Sequence, residues 1–504
     1  MGRLLRGLHL VHRWTGIALG VLILSWLVSG VVMVFVPRPT LSLAERLAGL
    51  PPLDASTVKI SALEAWQSTG RSGWPRSVRL NASGGRPVYH FEDGESRRVS
   101  VRADDATKIE ALDPLDPSDE AALRRVLAPY AGKAAIHSFV AVERDQWSVV
   151  ANFDPLRPLV RAELDDGRHY YVSTRSGEVV LDTARAERAW NWLGTFAHWL
   201  YFTELRRNFG LWRAVILWLA FAATLAALSG FCLGVERLKI RKPYSGGRFT
   251  PYREKWKRLH HVSGLFGGVF LLSWLFSGWL SLSPMAWAKT ARTTEEERAW
   301  LAGGALDAEA LSRTPPLGAK SREVAWARFD AQPTALLFDT DVPDRVVFSA
   351  SDARRTPPLT LDAIAARGKG LKPRENLVSA DWLTEQDAYY YPRNGRKLVL
   401  PVARLVFDDA EKSAYYIDPA TGSINAKIDR SARVQRWLYR GLHRLDFPPF
   451  DRHETARRAV VVLASLLGIF MTLSGCVLGI QRIGRLGGRA GQAMPERLER
   501  EKSS

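Results

Sequence analysis

Cysteine is almost absent from this chain: its 504 residues include only Cys232 and Cys476. Two cysteines supply no disulfide framework, and no CxxCH motif for covalent, c-type attachment of haem is present. No GxGxxG motif follows a predicted strand, which argues against a nicotinamide or flavin module within the chain. Acidic and basic residues are missing from four long apolar runs, which argues against an ion or solute carrier.

The four uncharged runs predict four transmembrane helices. Each has 22 or more residues, and about 20 residues suffice to cross a ~30 Å hydrocarbon core. The first run follows basic residues, as a signal peptide does, but its likeness to the third run predicts that it stays in the protein. The runs are residues 14–37, 214–235, 262–287 and 459–480.

Part of the net charge of +18 is concentrated in short segments beside these runs. Lysine and arginine are dense in residues 1–13, 236–258 and 481–489. Basic residues in short loops mark the cytoplasmic side of a membrane, so both termini and the central loop are predicted to be cytoplasmic. This distribution explains the positive charge without a nucleic-acid partner.

The two halves of the chain match each other without a gap over their membrane segments. An offset of 248 positions aligns the first run with the third, and an offset of 245 aligns the second with the fourth. We interpret this match as an internal duplication whose halves are related by a pseudo-two-fold axis along the membrane normal. The matched pairs include His12 with His260, Gly16 with Gly264, Gly20 with Gly268, Ser25-Trp26 with Ser273-Trp274, Ser29-Gly30 with Ser277-Gly278, His198 with His443, and Ser229-Gly230 with Ser474-Gly475.

Each half carries a long extracytoplasmic segment between its two spans, and alternating apolar and polar residues predict an α+β fold for both. Predicted strands include 146–153 and 388–392. The predicted fold class is an α-helical membrane protein: a four-transmembrane-helix bundle from an internal duplication, with two α+β periplasmic domains that end in interfacial helices. The predicted order is N-terminus and first span (1–37), periplasmic domain 1 (38–211), second span (212–236), basic cytoplasmic loop (237–260), third span (261–287), periplasmic domain 2 (288–456), fourth span (457–481) and a cytoplasmic tail (482–504). The tail is predicted to be disordered from Leu486.

Four of the ten histidines recur as equivalent pairs, one pair at each face of the membrane. They are His12 with His260, and His198 with His443. A pseudo-two-fold axis brings equivalent residues towards each other, so each pair is predicted to bind one haem iron from both sides. A six-coordinate haem of this kind has no open position for oxygen and serves electron transfer. Ordinary packing and another metal, such as zinc, remain alternatives. His9 and His261, which have no equivalent partner in the other half, remain alternatives to His12 and His260 or residues that support them.

Other residues near these histidines also have predicted roles. Haem carboxylates require cations, for which Arg13 beside His12 and Arg444 beside His443 are candidates. The paired glycines form small-xxx-small motifs, which allow close helix contact and also leave space for a flat ligand. We expect Ser25, Ser29, Ser273 and Ser277 to serve helix packing alone, and Trp26 and Trp274 to fill apolar space near mid-membrane.

Several motifs resemble the PepSY-associated transmembrane family. LVHRWTGIALG and RLHHVSGLFGG are similar to its opening motif, and AYYIDPATGSI, GLHRLDF and TLSGCVLGI are similar to its closing motifs. The resemblance implies PepSY-like periplasmic domains and a ferric-siderophore reductase with two b-type haems. It also implies a bacterial inner-membrane location, a ferric siderophore as acceptor, and a cytoplasmic flavoprotein or quinol as donor. The histidines at the motif positions are His12, His198, His260 and His443.

A second hypothesis keeps this fold without the redox chemistry. PepSY modules are associated with peptidase inhibition, so the extracytoplasmic domains are also consistent with a membrane-anchored binding or regulatory module. The colour of the purified protein separates the two hypotheses, because a di-haem protein is red and a binding module is colourless.

Overall fold

The computed structural model describes residues 2–95, 97–109, 117–284, 292–339, 345–392, 398–448, 450 and 452–502. The chain divides into two compact units. We call residues 1–38, 189–289 and 434–504 the membrane unit, and residues 39–188 and 290–433 the sheet unit.

The helices lie in both units. They are α1 (Gly2–Phe35), α2 (Leu43–Ala48), α3 (Ala62–Ser68), α4 (Pro117–Ala131), α5 (Arg185–Asn191), α6 (Ala197–Trp199), α7 (Thr203–Arg207), α8 (Phe209–Glu236), α9 (Lys255–Ser281), α10 (Glu295–Ala302), α11 (Ala308–Leu311), α12 (Leu361–Gly368), α13 (Arg430–Gln435), α14 (Leu442–Arg444) and α15 (Glu454–Lys502). Two π-helical segments, Trp192–Phe196 and Arg436–Gly441, follow α5 and α13.

The strands lie in the sheet unit. They are β1 (Ser77–Ser83), β2 (Arg86–Glu92), β3 (Arg98–Arg102), β4 (Ile136–Val142), β5 (Leu159–Leu164), β6 (His169–Ser173), β7 (Val179–Thr183), β8 (Ser321–Phe329), β9 (Gln332–Asp339), β10 (Arg345–Ser349), β11 (Leu377–Leu383), β12 (Val402–Phe407), β13 (Ala414–Ile417) and β14 (Ile424–Ile428).

The membrane unit contains four helices, α1, α8, α9 and α15, that are long and apolar enough to cross a bilayer. They coincide with the four predicted spans, although α9 ends at Ser281 and the end of the third predicted span, 285–287, lies outside the described residues. The structure differs from the expectation of a disordered tail from Leu486, because α15 continues to Lys502. Arginine and glutamate are the most frequent residues of its last turns, 489–502, and both favour helix.

The four long helices contact one another in the cyclic order α1, α8, α9, α15. Helices α1 and α9 therefore occupy opposite corners of the bundle, and both supply side chains to its interior. The apolar core is formed by Ile23, Leu27, Ala223, Leu271, Leu275 and Met471. This arrangement lets one histidine from α1 and one from α9 approach each other across the bundle.

The sheet unit contains three antiparallel sheets. A six-stranded sheet has the order β10-β9-β8-β1-β2-β3, and two four-stranded sheets have the orders β4-β5-β6-β7 and β11-β12-β13-β14. Strand β1 of the first half pairs directly with β8 of the second, with Val78 opposite Trp326 and Asn81 opposite Glu323. The two halves thus share one sheet, while each builds a four-stranded sheet of its own.

Two predicted strands are wrong, and both fail for the same physical reason. At 146–153 the carboxylate of Asp145 accepts hydrogen bonds from the amides of Trp147 and Ser148, and a 3-10 helix follows. At 388–392 the carboxylate of Asp387 accepts hydrogen bonds from the backbone amides of Tyr389 and Tyr390. An aspartate that bonds the backbone ahead of it competes with strand pairing.

A buried ionic cluster lies beside the β1–β8 junction. The guanidinium of Arg79 donates to Glu178 at 2.9 Å and to Glu323 at 2.9 Å, and Arg46 donates to Glu323. Burial alone would raise the pKa of Glu178, but Arg79 holds it below its ordinary value. Removing one partner of a buried ion pair destabilises the fold, because the other charge is left buried and uncompensated. The cluster therefore fixes the junction between the two halves.

Candidate functional site

The first histidine pair lies inside the membrane unit near the N-terminal ends of α1 and α9. The ring centres of His12 and His260 are 6.1 Å apart, and their planes are inclined by 34°. The Nδ1 atom of His12 lies 3.0 Å from the carbonyl oxygen of Ala226, and that of His260 lies 2.9 Å from the carbonyl oxygen of Met471. We call these two residues the inner pair.

The second pair comes from the short helices α6 and α14. The ring centres of His198 and His443 are 6.0 Å apart, and their planes are inclined by 67°. The Nδ1 atom of His198 lies 3.1 Å from the carbonyl oxygen of Trp26, and that of His443 lies 3.2 Å from the carbonyl oxygen of Trp274. We call these two residues the outer pair.

These four contacts determine which nitrogen of each ring carries the proton. A carbonyl oxygen only accepts hydrogen bonds, so Nδ1 must be the donor in each of the four imidazoles. The neutral ring then has its lone pair on Nε2, the form that binds a metal. Metal-binding histidines usually donate the other ring N–H to a carbonyl or carboxylate in this way. All four rings are therefore prepared as ligands.

Each ring also rests on a Ser-Gly dipeptide of a long helix. A Cβ added to Gly230 would lie 2.4 Å from Cε1 of His12, and one added to Gly475 would lie 3.0 Å from Cε1 of His260. The corresponding distances are 3.6 Å from Gly30 to His198 and 3.3 Å from Gly278 to His443. The carbonyl that accepts from each ring lies three residues before the serine, so one pattern of five residues recurs in all four helices.

The serines correct one of our expectations. Ser29, Ser277 and Ser474 place their hydroxyl oxygens 3.1 Å, 3.1 Å and 3.2 Å from Nδ1 of His198, His443 and His260. Ser29 and Ser277 were expected to serve packing alone, and this was wrong because each hydroxyl reaches across to a histidine of another helix. Ser229, the counterpart of Ser474, bonds the carbonyl oxygen of Ala226 at 2.9 Å.

An unusual backbone conformation aims the outer pair. The π-helical segments end two residues before His198 and two residues before His443. Leu200 and Leu445 then adopt left-handed conformations, with φ of 48° and 52°, and end the helices. A π-turn inserts one extra residue and so rotates the following side chains, which is why such turns often occur at functional sites.

The remaining sequence candidates lie in different surroundings. Both ring nitrogens of His261 are engaged, at 2.8 Å from Thr250 Oγ1 and 2.9 Å from the carbonyl oxygen of Gly234, so His260 is the residue that faces His12. Arg13 is exposed. Arg444 is half-buried, and its Nε lies 3.7 Å from a carboxylate oxygen of Asp446.

Trp26 and Trp274 contribute main-chain atoms to the site. Trp26 and Trp274 pack partly buried against the apolar core, as expected of filling residues. Their carbonyl oxygens also accept the hydrogen bonds that hold the outer pair. Sequence reasoning missed this role because a main-chain acceptor has no residue signature, although the Ser-Gly that follows each acceptor in every span was a visible signal.

The donor set fits a haem iron held between two imidazoles. An imidazole nitrogen binds a transition metal at about 2.0 Å, so two such bonds on opposite sides of one iron put the ring centres roughly 6 Å apart. Both observed distances, 6.1 Å and 6.0 Å, agree with this value. A structural zinc site takes four protein ligands, and no group of three or more histidine, cysteine, aspartate or glutamate side chains placed to hold a metal ion lies in the described part of the chain.

The chain matches the model of a known family. The family described as PepSY-associated TM region matches residues 9–355, which are 347 of the 504 residues. The matched segment contains His12, His198 and His260, and it ends before His443. No curated protein matches the chain.

Proposed function

Because this chain belongs to the PepSY-associated TM region family, we propose that it is a di-haem reductase that carries electrons across a membrane to chelated ferric iron. The observation that carries the proposal is the presence of two facing imidazole pairs within one four-helix membrane unit. On α1, His12 belongs to the inner pair and Gly30 supports the outer pair. Eighteen residues separate them, which is roughly 27 Å of helix and close to the thickness of the hydrocarbon core.

The chain's own residues prepare both sites for one-electron chemistry. Each carbonyl acceptor holds a ring in the ligand tautomer, and the apolar core between the two pairs excludes water. Haem, if held by these two pairs of imidazoles, would supply reversible one-electron transfer.

The proposed acceptor is Fe(III) in a siderophore complex on the periplasmic side. Each iron takes one electron and becomes Fe(II), for which hard oxygen ligands have a weaker preference, so the metal leaves an intact chelator. The proposed donor is a quinol or a reduced flavoprotein on the cytoplasmic side, and it is oxidised as the electrons pass to the inner pair.

We also propose that the two halves arose by duplication and that the protein lies in a bacterial inner membrane with both termini in the cytoplasm. Equivalent positions make equivalent contacts: Trp26 and Trp274 accept from the outer pair, and Ala226 and Met471 accept from the inner pair. The basic segments beside the spans support the orientation. The two extracytoplasmic segments are proposed to be PepSY-like domains.

Electron transfer across a sealed vesicle tests the proposal. Purified protein is placed in liposomes with dithionite trapped inside and a ferric hydroxamate complex outside, and Fe(II) is detected with a ferrous-specific chelator. We expect Fe(II) to form with the wild-type protein and with His137→Ala, an exposed control. Loss of either pair, in His12→Ala/His260→Ala or His198→Ala/His443→Ala, should stop it. Equal rates in wild-type and pair variants would contradict the proposal and favour the binding module.

A further inference from the structure

Two arginines at equivalent positions follow the glycines that support the inner pair. Arg237 lies seven residues after Gly230, and Arg482 lies seven residues after Gly475. Seven residues make almost two helical turns, so each arginine lies on the same face of its helix as the glycine. Each is displaced from that glycine by roughly 10 Å towards the predicted cytoplasmic side.

Contacts on α1 bring one of these arginines close to the inner pair. The Nη2 atom of Arg237 lies 3.4 Å from Nε2 of His9, which stands one turn before His12 on the same helix. At the offset of 248, Lys257 occupies the place before His260 that His9 occupies before His12. Each of the four long helices thus carries a basic residue, in or at the end of the helix, within two helical turns of a residue of the inner pair or of the glycine beside it.

The charges of the two arginines are only partly compensated. Arg237 Nε lies 2.9 Å from Glu236 Oε2, and both of these side chains are 42% exposed. The Nε of Arg482 is buried and has no hydrogen-bond partner within the residues that the structure describes. A buried guanidinium nitrogen without an acceptor is unfavourable, and an anionic ligand beside it would remove this cost.

We propose that Arg237 and Arg482 form a carboxylate-binding site at the cytoplasmic end of the membrane unit, and that its ligand is the pair of propionate groups of the haem held by the inner pair. This inference rests on the proposed function. Arginine binds a carboxylate through two parallel hydrogen bonds, so two arginines match two carboxylates. The site differs from the sequence candidate Arg13, which is exposed and lies next to His12 in the chain.

Haem binding by the inner pair alone provides the test. In a His198→Ala/His443→Ala background produced without haem, the full-length protein is titrated with haem b and with its dimethyl ester, which lacks both negative charges. We expect the His198→Ala/His443→Ala parent to bind haem b with an affinity about tenfold or more above that for the dimethyl ester, because only haem b can form charge-assisted hydrogen bonds to arginine. Arg237→Gln/Arg482→Gln should abolish this preference and lower the midpoint potential, because removing positive charge stabilises ferric iron.

A matched control removes two other cytoplasmic charges. Arg3 and Arg241 are exposed, and Arg3 lies on the opposite face of α1 from His12, so Arg3→Gln/Arg241→Gln should keep the preference and the potential. An unchanged preference and potential in Arg237→Gln/Arg482→Gln would overturn the inference. So would a variant that differs from the parent only in its dependence on anionic lipid, which would identify a lipid phosphate as the ligand. A parent that binds no haem at all would instead refute the proposed function.

Discussion

The Nδ1 atom of His443 lies 3.2 Å from the carbonyl oxygen of Trp274, and both residues belong to the second half of the chain. The same holds for the other three imidazoles, each of which donates to a carbonyl of its own half. Each half therefore presents two oriented rings, one near each end of the membrane unit. Each facing pair forms only where the two halves meet.

The glycines beneath the rings provide a graded test of this geometry. Gly230→Ala is expected to displace His12, because the new Cβ would lie 2.4 Å from Cε1 of the ring, and to reduce the haem content to about one per chain. Gly30→Ala is the matched control, since its Cβ would meet His198 at an ordinary 3.6 Å. Pyridine haemochrome assays measure the content. Two haems per chain in Gly230→Ala would contradict the expected displacement.

The serine hydroxyls are expected to tune the potentials rather than to hold the haems. Ser474 Oγ lies 3.2 Å from Nδ1 of His260 and donates to the carbonyl oxygen of Met471, so it accepts from the ring. Its removal in Ser474→Ala should raise one midpoint potential by the equivalent of about 1 kcal/mol, as the imidazole becomes a weaker electron donor. Redox titration measures this. Ser263→Ala, whose hydroxyl bonds only its own helix at Leu259, should leave both potentials unchanged.

His90 is expected to make the protein less stable in mild acid. Burial lowers the pKa of His90 to about 4, and its nitrogens bond Ser100 and Asn81. Between pH 6.5 and 4 the unfolded chain binds a proton that the folded chain does not, so the free energy of unfolding falls as pH falls, by up to about 3 kcal/mol. Burial and nearby arginines also lower the pKa of His169 to about 4, and its effect has the same sign.

Denaturant unfolding of the full-length protein at pH 4 to 7 measures this slope. His90→Gln keeps a side chain able to bond both partners and removes the titration, so the slope should decrease without vanishing. His169 still contributes with the same sign, and Asp182, whose pKa burial raises to about 6, contributes with the opposite sign. An identical slope in wild type and His90→Gln would show that the pH dependence comes from other groups.

Two buried tyrosine–aspartate bonds are expected to stabilise the sheet unit to a similar extent. Tyr171 donates to Asp145 at 2.6 Å, and Tyr416, its counterpart at the offset of 245, donates to Asp387 at 2.8 Å. Tyr171→Phe and Tyr416→Phe should each lower the free energy of unfolding by about 2 kcal/mol, because each removes one bond to a charged acceptor. Thermal unfolding compares the two variants, and a negligible loss in either would contradict this estimate.

The internal offset made much of the site predictable. It identified His12 with His260 and His198 with His443, because repeated side chains are visible in a sequence. It did not identify the carbonyl acceptors on Ala226 and Met471, since main-chain atoms carry no signature. The offset also did not decide whether His260 or His261 faces His12, because that choice depends on the rotation of α9 about its axis. The structure decides it, since His261 contacts Thr250 in the loop and Gly234 in α8.

The sheet unit was less accessible to prediction. Alternation located β1 and β8, but their pairing across the two halves depends on contacts some 245 residues apart, which local patterns do not encode. The apolar residues of 146–153 suggested a strand, whereas the carboxylate of Asp145 accepts hydrogen bonds from the backbone amides of Trp147 and Ser148 and starts a turn. In both cases the outcome was decided by interactions beyond the alternation pattern itself.

Haem stoichiometry, measured together with the reduced-minus-oxidised absorption spectrum of the wild-type protein from haem-replete cells, tests the two facing imidazole pairs most directly. We expect two low-spin b-type haems per chain, with one lost in His12→Ala/His260→Ala and the other lost in His198→Ala/His443→Ala. Colourless protein, or a haem content that neither pair of substitutions changes, would contradict the assignment of these four histidines as ligands.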